Sequence, residues 1–216
     1  MREFITHEWL TILCFAGLLF ITFAKLLNSA RFYDFIALAG NSKYLKIYSK
    51  DQKFIDLFDG LLFTNLVISL SIFAHIAYSN LVDPIAFSIV PFLRLVFAVA
   101  VILLVKTLIE RLVGSLFDIE SILESYLFQK TAYKNLTGIV LLICNLILLY
   151  ALEPNEILIY VAISLALLVN IMGFIITYKT HLNTLNRHLF YFLLYLCALE
   201  IGPYVILYKV ITEYNT

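Results

Sequence analysis

Residues Glu156–Tyr178 read EILIYVAISLALLVNIMGFIITY. After the first residue this stretch has no Lys, Arg, Asp or Glu, and its one amide is Asn170. A helix rises ~1.5 Å per residue, so roughly 20 apolar residues cross a hydrocarbon core ~30 Å thick. A surface helix of a soluble protein would need a polar face, which this run lacks. It reads as a membrane-spanning helix.

The rest of the chain repeats the pattern. Of 216 residues, 62% are hydrophobic and only 14% charged, with a mean hydropathy of +0.96. An ordinary soluble domain is roughly 45–50% apolar and ~25% charged. Six runs emerge: Glu8–Asn28, Asp59–Tyr78, Ile85–Phe117, Lys134–Leu152, Glu156–Tyr178 and Leu189–Ile211. The expected fold is all-α, a polytopic bundle of six transmembrane helices forming a single transmembrane domain over residues 1–216. The third run is too long for an upright crossing. It either tilts or leaves the membrane as a helix through IERLVGSLFDIES. The connections at 80–84 and 153–155 are very short, so spans two and three, and four and five, form tight antiparallel hairpins. VDP and LEPNE supply the proline and acidic helix-start chemistry for these turns. The opening MREFITHEW is mixed in charge, and the apolar run after it is too long for a signal-peptide core, so the first span is expected to remain.

Basic residues orient the bundle. Arg31, Lys43, Lys46, Lys50 and Lys53 lie between spans one and two, Arg111, Lys130 and Lys134 near the three–four connection, and Lys179 and Arg187 near the five–six connection. The opposite side has only Arg2 and Lys209. The positive-inside rule then places these loops in the cytoplasm and both termini on the outer side, which is the periplasmic side of a bacterial inner membrane if the family resemblance given below holds. Within the first loop, KYLKIYSK interleaves Lys43, Lys46 and Lys50 with Tyr44 and Tyr48. Such a segment suits a surface for anionic lipid or a partner, at ~1 kcal/mol per basic residue near the membrane. The plainer reading is that these charges only set topology.

Charge inside a span costs ~2.5–3.5 kcal/mol at the centre, so each charged side chain needs a partner or a route to water. Lys106 and Glu110 are one helical turn apart, the spacing of an intrahelical ion pair near the cytoplasmic end. Lys25 can snorkel. Arg94 falls roughly 13 Å below the outer face if span three starts at Ile85. Glu200, in LYLCALEIGPYVILYK, lies midway between Leu189 and Ile211. The two spans run in opposite directions, and each charge sits one turn deeper than a proline, Pro91 or Pro203. A proline inside a helix breaks one backbone bond, here freeing the carbonyl of Phe87 or Leu199. The expectation is an Arg94–Glu200 pair beside two helix breaks. Its role stays open between a clamp that fixes helix register and a proton or ion site. Asn65, His75, Asn145 and Asn170 are the other intramembrane polar candidates, and one Asn per helix suits interhelical hydrogen bonding.

Other chemistries have little support. A formal net charge of zero gives no sign of a nucleic-acid partner. Cys14, Cys144 and Cys197 each lie in an apolar run with no CxxC or Cys/His cluster, so no metal is expected. No nucleophile elbow or HExxH motif is present, and His181 and His188 alone do not make a site. No catalytic residue and no cofactor are expected.

Taken together, KYLKIYSK, LESYLFQKTAYKNLTGIVLL and HLFYFLLYLCALEIGPYVILYK resemble the integral-membrane proteins of Bacteroidota grouped as a domain of unknown function. The resemblance covers nearly the whole chain, and LYLCALEIGP is its most recognisable part. It implies an envelope location, and that Glu200 and Pro203 belong to the family motif, without assigning them a role. The expected function is a non-enzymatic inner-membrane scaffold or accessory subunit of a cell-envelope complex, such as a secretion or gliding machinery. Its expected partners are the lipid bilayer and other membrane subunits. The alternative is a small ion- or proton-coupled transporter using Glu200.

Overall fold

At four helix starts a side chain accepts one of the backbone N–H groups left without an intrahelical partner. In the computed structural model, which describes residues 8–41, 43–49, 56–82, 87–116, 120–151 and 155–185, these caps set the element order. Helix α1 (Glu8–Leu27) ends at Asn28, whose side chain accepts the Arg31 N–H at 3.0 Å and starts α2 (Ser29–Ile36). A short tight turn, Ala37–Ala39, leads to α3 (Lys43–Tyr48), where the Asn41 side chain accepts the Lys43 N–H at 3.0 Å. Asp56 accepts the Phe58 N–H at 3.1 Å and caps α4 (Leu57–Leu81). Helix α5 spans Ile89–Leu116, and α6 spans Glu120–Leu146 before widening into a π turn, Ile147–Ala151. Helix α7 (Glu156–Leu185) starts where Asn155 accepts the Leu158 N–H at 2.9 Å.

Among the described residues, α1, α4, α5, α6 and α7 supply five helices long and apolar enough to cross a membrane. The run expected at Leu189–Ile211 lies outside the described residues. The fourth span differs from its expected start at Lys134, because α6 begins at Glu120. The reason is amphipathicity. Tyr126, Leu127, Phe128, Ala132 and Tyr133 are buried in the bundle, while Lys130 and Lys134 on the same helix lower its hydropathy. Helix α5 starts at Ile89 rather than Ile85.

Helices α4 and α6 form the centre, with α1 packed on α4 and α7 packed on α6. Helix α5 lies against both central helices and is the least covered of the long helices. The bundle has two ends. The hairpin end holds the short connections, and the loop end holds α2, α3 and the α5–α6 connection. An apolar cluster sits at each. Leu10, Phe73, Phe92, Leu148 and Ile159 belong to the hairpin-end cluster. Ala24, Phe35, Tyr44, Phe58 and Phe128 belong to the loop-end cluster. Between them runs a buried polar belt that includes Asn65, Ser69 and Thr137.

In lipid the tails are as apolar as leucine, so close packing, not water exclusion, holds helices together. Small residues allow it. A Cβ added at Gly138 would lie 2.7 Å from the Leu66 Cα, so α6 rests directly on the α4 backbone. A Cβ at Gly173 would lie 2.5 Å from the Tyr133 ring, which marks the α6–α7 contact in the same way. Gly138→Ala is therefore expected to lower stability by about 1–3 kcal/mol through overpacking. Gly60→Ala, with nothing within 4 Å, should cost none. Thermal unfolding of the detergent-solubilised protein checks this, and equal melting temperatures for the two variants would refute the close contact.

Candidate functional site

Among the described residues, the buried ion pairs lie at the loop end. Arg31, in the first turn of α2, reaches across to the start of α4. Its Nη2 donates to Asp59 Oδ2 at 2.8 Å, its Nη1 bonds Asp56 Oδ2, and its Nε donates to the Tyr44 hydroxyl at 3.4 Å. The guanidinium carbon stands 4.5 Å from the Phe58 ring centre and 5.3 Å from that of Tyr48. One side chain thus ties α2, α3 and α4, and Asp56 serves as both cap and counter-ion. Burial works against the charge on Arg31, but Tyr44, Asp59 and Asp56 outweigh it and hold the guanidinium protonated more firmly than usual. Burial, aided by Asp59, pushes the Tyr44 phenol up, so it stays neutral.

This arrangement takes Tyr44 out of the surface expected at KYLKIYSK. Tyr44 is fully buried, edge-on to Phe35 and stacked on Phe128 of α6 at 5.4 Å. Tyr48 is half-buried against Tyr44. Among the described residues of the segment, Lys43, Lys46 and Ile47 are exposed, and Lys43 pairs with Asp34 at 3.2 Å. Lys50 lies outside the described residues. The segment folds back onto the bundle because Tyr44 and Leu45 fill the apolar cluster between α2, α4 and α6.

Glu110 is only 1% exposed, and its Oε1 accepts from the Lys130 Nζ of α6 at 2.8 Å. The i, i+4 spacing pairs Glu110 with Lys106 on its own helix, and the structure adds an interhelical partner from α6. Lys130 also lies over the Tyr126 ring at 5.6 Å. Lys106 lines a cavity of about 440 Å³ between α5, α6 and α7, together with Lys130, Lys134, Tyr126, Tyr133 and Asn170. A second cavity, of about 230 Å³ between α4, α5 and α6, is lined by Asp56, Asp59, Thr107, Arg111, Lys134 and Asn135 among others. Lys134 borders both.

The intramembrane amides serve as cross-links. Asn145 donates to the Ser69 carbonyl of α4 at 2.8 Å, and Asn170 donates to the Thr137 hydroxyl of α6 at 3.0 Å. The Asn65 carbonyl oxygen accepts from Ser69 at 3.3 Å. Buried Asn135, which the sequence reading passed over, has neither amide atom partnered, and the hydroxyl of buried Tyr133 is likewise without a partner. His75 packs edge-on against Phe87 and Phe92 at the hairpin end. Cys14 and Cys144 are free thiols. Cys197 lies outside the described residues.

Pro91 is not a helix break. It is the third residue of α5, in the first turn, where its missing N–H would have had no intrahelical acceptor. Phe87 precedes the helix, so its carbonyl is not freed from one. Arg94 is exposed on α5, between exposed Leu93 and Phe97, and at roughly 1.5 Å per residue only about 7 Å from the helix start. Its expected partner Glu200, and Pro203, lie outside the described residues.

A bundle of long apolar helices, joined by buried amides and close glycine contacts, defines a multi-pass membrane helix protein. The chain belongs to the family described as Domain of unknown function (DUF4271), whose model matches residues 10–211. No curated protein and no solved structure matches it.

Removing the Arg31 charge leaves Asp56 and Asp59 partly buried without their counter-ion. Arg31→Gln is expected to destabilise the protein by about 2–4 kcal/mol, discounted from a fully buried pair because the carboxylates keep some solvent contact. Limited proteolysis of the α2–α3 segment gives the readout. Unchanged cleavage rates would show that the clamp does not hold this segment.

Proposed function

We propose that the protein is a non-enzymatic scaffold or accessory subunit of a cell-envelope complex in the inner membrane of Bacteroidota. A secretion or gliding machinery is the kind of assembly meant. In this reading the chain is one transmembrane domain of six spans, the last at Leu189–Ile211, with both termini periplasmic. The basic residues between Arg31 and Lys53 then lie in the cytoplasm. The observation that favours this reading is how the polar groups are used. Glu110 with Lys130 joins α5 to α6, Asn145 joins α6 to α4, and Asn170 joins α7 to α6. These are the bonds of a fixed framework. Arg94, exposed on the sparsely covered α5, suits a neighbouring helix that carries a carboxylate, and Glu200 is the candidate within the chain.

The scaffold reading expects mild detergent extraction from native membranes, at native expression, to recover a stoichiometric membrane partner. Recovery of a monodisperse free monomer would count decisively against it.

The two polar cavities at the loop end support a second reading, a small ion- or proton-coupled transporter using Glu200. Two substitutions separate the roles of that carboxylate. If it titrates during transport, Glu200→Gln abolishes ion-dependent uptake in vesicles and leaves abundance intact. If it clamps Arg94, Glu200→Gln lowers abundance, and Arg94→Glu combined with Glu200→Arg partly restores it. Absence of any rescue by the double reversal would exclude the pair.

A further inference from the structure

The cavity between α5, α6 and α7 differs in character from its neighbour. The smaller cavity mixes Asp56 and Asp59 with Arg111 and Lys134. The larger one, about 440 Å³, draws Lys106, Lys130 and Lys134 together, with no carboxylate among its lining residues. Glu110 of α5 is held by Lys130. Each of the three lysines has a contact within the protein, and an ammonium has three donors, so a ligand oxygen can be added to those contacts.

Tyr133 supplies an independent sign. Its side chain is 2% exposed, its hydroxyl has no hydrogen-bond partner, and it lines this cavity. A buried hydroxyl without a partner is costly, and native structures rarely keep one without a reason. Gly173 lets α7 approach the Tyr133 ring closely enough to fix its position. Lys106, Lys130, Lys134 and Tyr133 thus line one cavity, toward the loop end of the bundle.

The remaining wall is apolar. Leu167, Ile171 and Phe174 of α7 line the cavity and are also exposed on the bundle's outer surface. A ligand with an anionic oxygen-rich head and an apolar tail matches both halves. Basic pockets between transmembrane helices favour phosphate-bearing lipid headgroups for this reason. The geometry points to a phosphate-binding site in the α5–α6–α7 cavity that takes the headgroup of an anionic phospholipid, its acyl chain lying along α7. This goes beyond the scaffold proposal and holds whether or not a protein partner is found.

The test uses the full-length protein in phosphatidylcholine nanodiscs, titrated with phosphatidylglycerol and, separately, with inorganic phosphate. Thermal stability and lipid retention by native mass spectrometry are the readouts. Phosphatidylglycerol is expected to be retained and to raise the melting temperature. Lys106→Gln with Lys134→Gln should weaken that binding by about tenfold or more. Tyr133→Phe removes only the unpartnered hydroxyl. It should leave the unliganded melting temperature unchanged or higher while weakening the lipid's effect. Protection by inorganic phosphate without phosphatidylglycerol would support the phosphate site and assign its ligand to a soluble source. Equal retention of both lipids without protection by phosphate, or binding unchanged in Tyr133→Phe and in the lysine variant, would overturn the proposal.

Discussion

The bundle depends on how closely α6 approaches α4. Gly138 brings the α6 backbone against Leu66 with no room for a Cβ. In a bilayer, burial of leucine against leucine gains little over leucine against lipid. Contact area at short range therefore has to hold the helices. The same approach brings Asn145 within bonding distance of the Ser69 carbonyl. With α6 seated, α7 packs on its other side through Gly173 and Tyr133, and α1 packs on α4. The two apolar clusters and the polar belt between them follow from that central seam.

Charge is arranged around the seam by depth. The belt at mid-bundle uses neutral amides and hydroxyls, which can be satisfied in low dielectric at modest cost. Full charges gather at the loop end, where Arg31, Asp56 and Asp59 close the α2–α3 segment over the bundle and Glu110 takes Lys130. Ion pairs are tolerable there because each carboxylate has its cation. The same concentration of charge produces the basic cavity between α5, α6 and α7.

Several features of the site were legible in residue order. Asn145 and Asn170 stand out as amides in apolar runs, and each proved to be an interhelical donor. Arg31 did not stand out. It lies in a polar segment with other basic residues, and nothing local marks it as the one that meets Asp56 and Asp59. Those contacts span 25 and 28 residues of chain. Tyr44 was misplaced for a related reason. A tyrosine among lysines suits a membrane surface in sequence, and only the packing of α3 against Phe35, Phe58 and Phe128 buries it.

The sequence by itself determined the class of the protein. Runs of roughly 20 apolar residues leave helices crossing a bilayer as the physical solution, since every backbone polar group must be satisfied within its own segment. It also determined the caps, because Asn28, Asp56 and Asn155 act on N–H groups two or three residues away. Only the tertiary structure decided which charges meet, where α6 begins, and that Pro91 sits harmlessly in a first turn. Periodicity and hydropathy are local quantities. The partner of a buried charge and the neighbour of a glycine are fixed by helices distant in the chain, which meet only when the bundle closes.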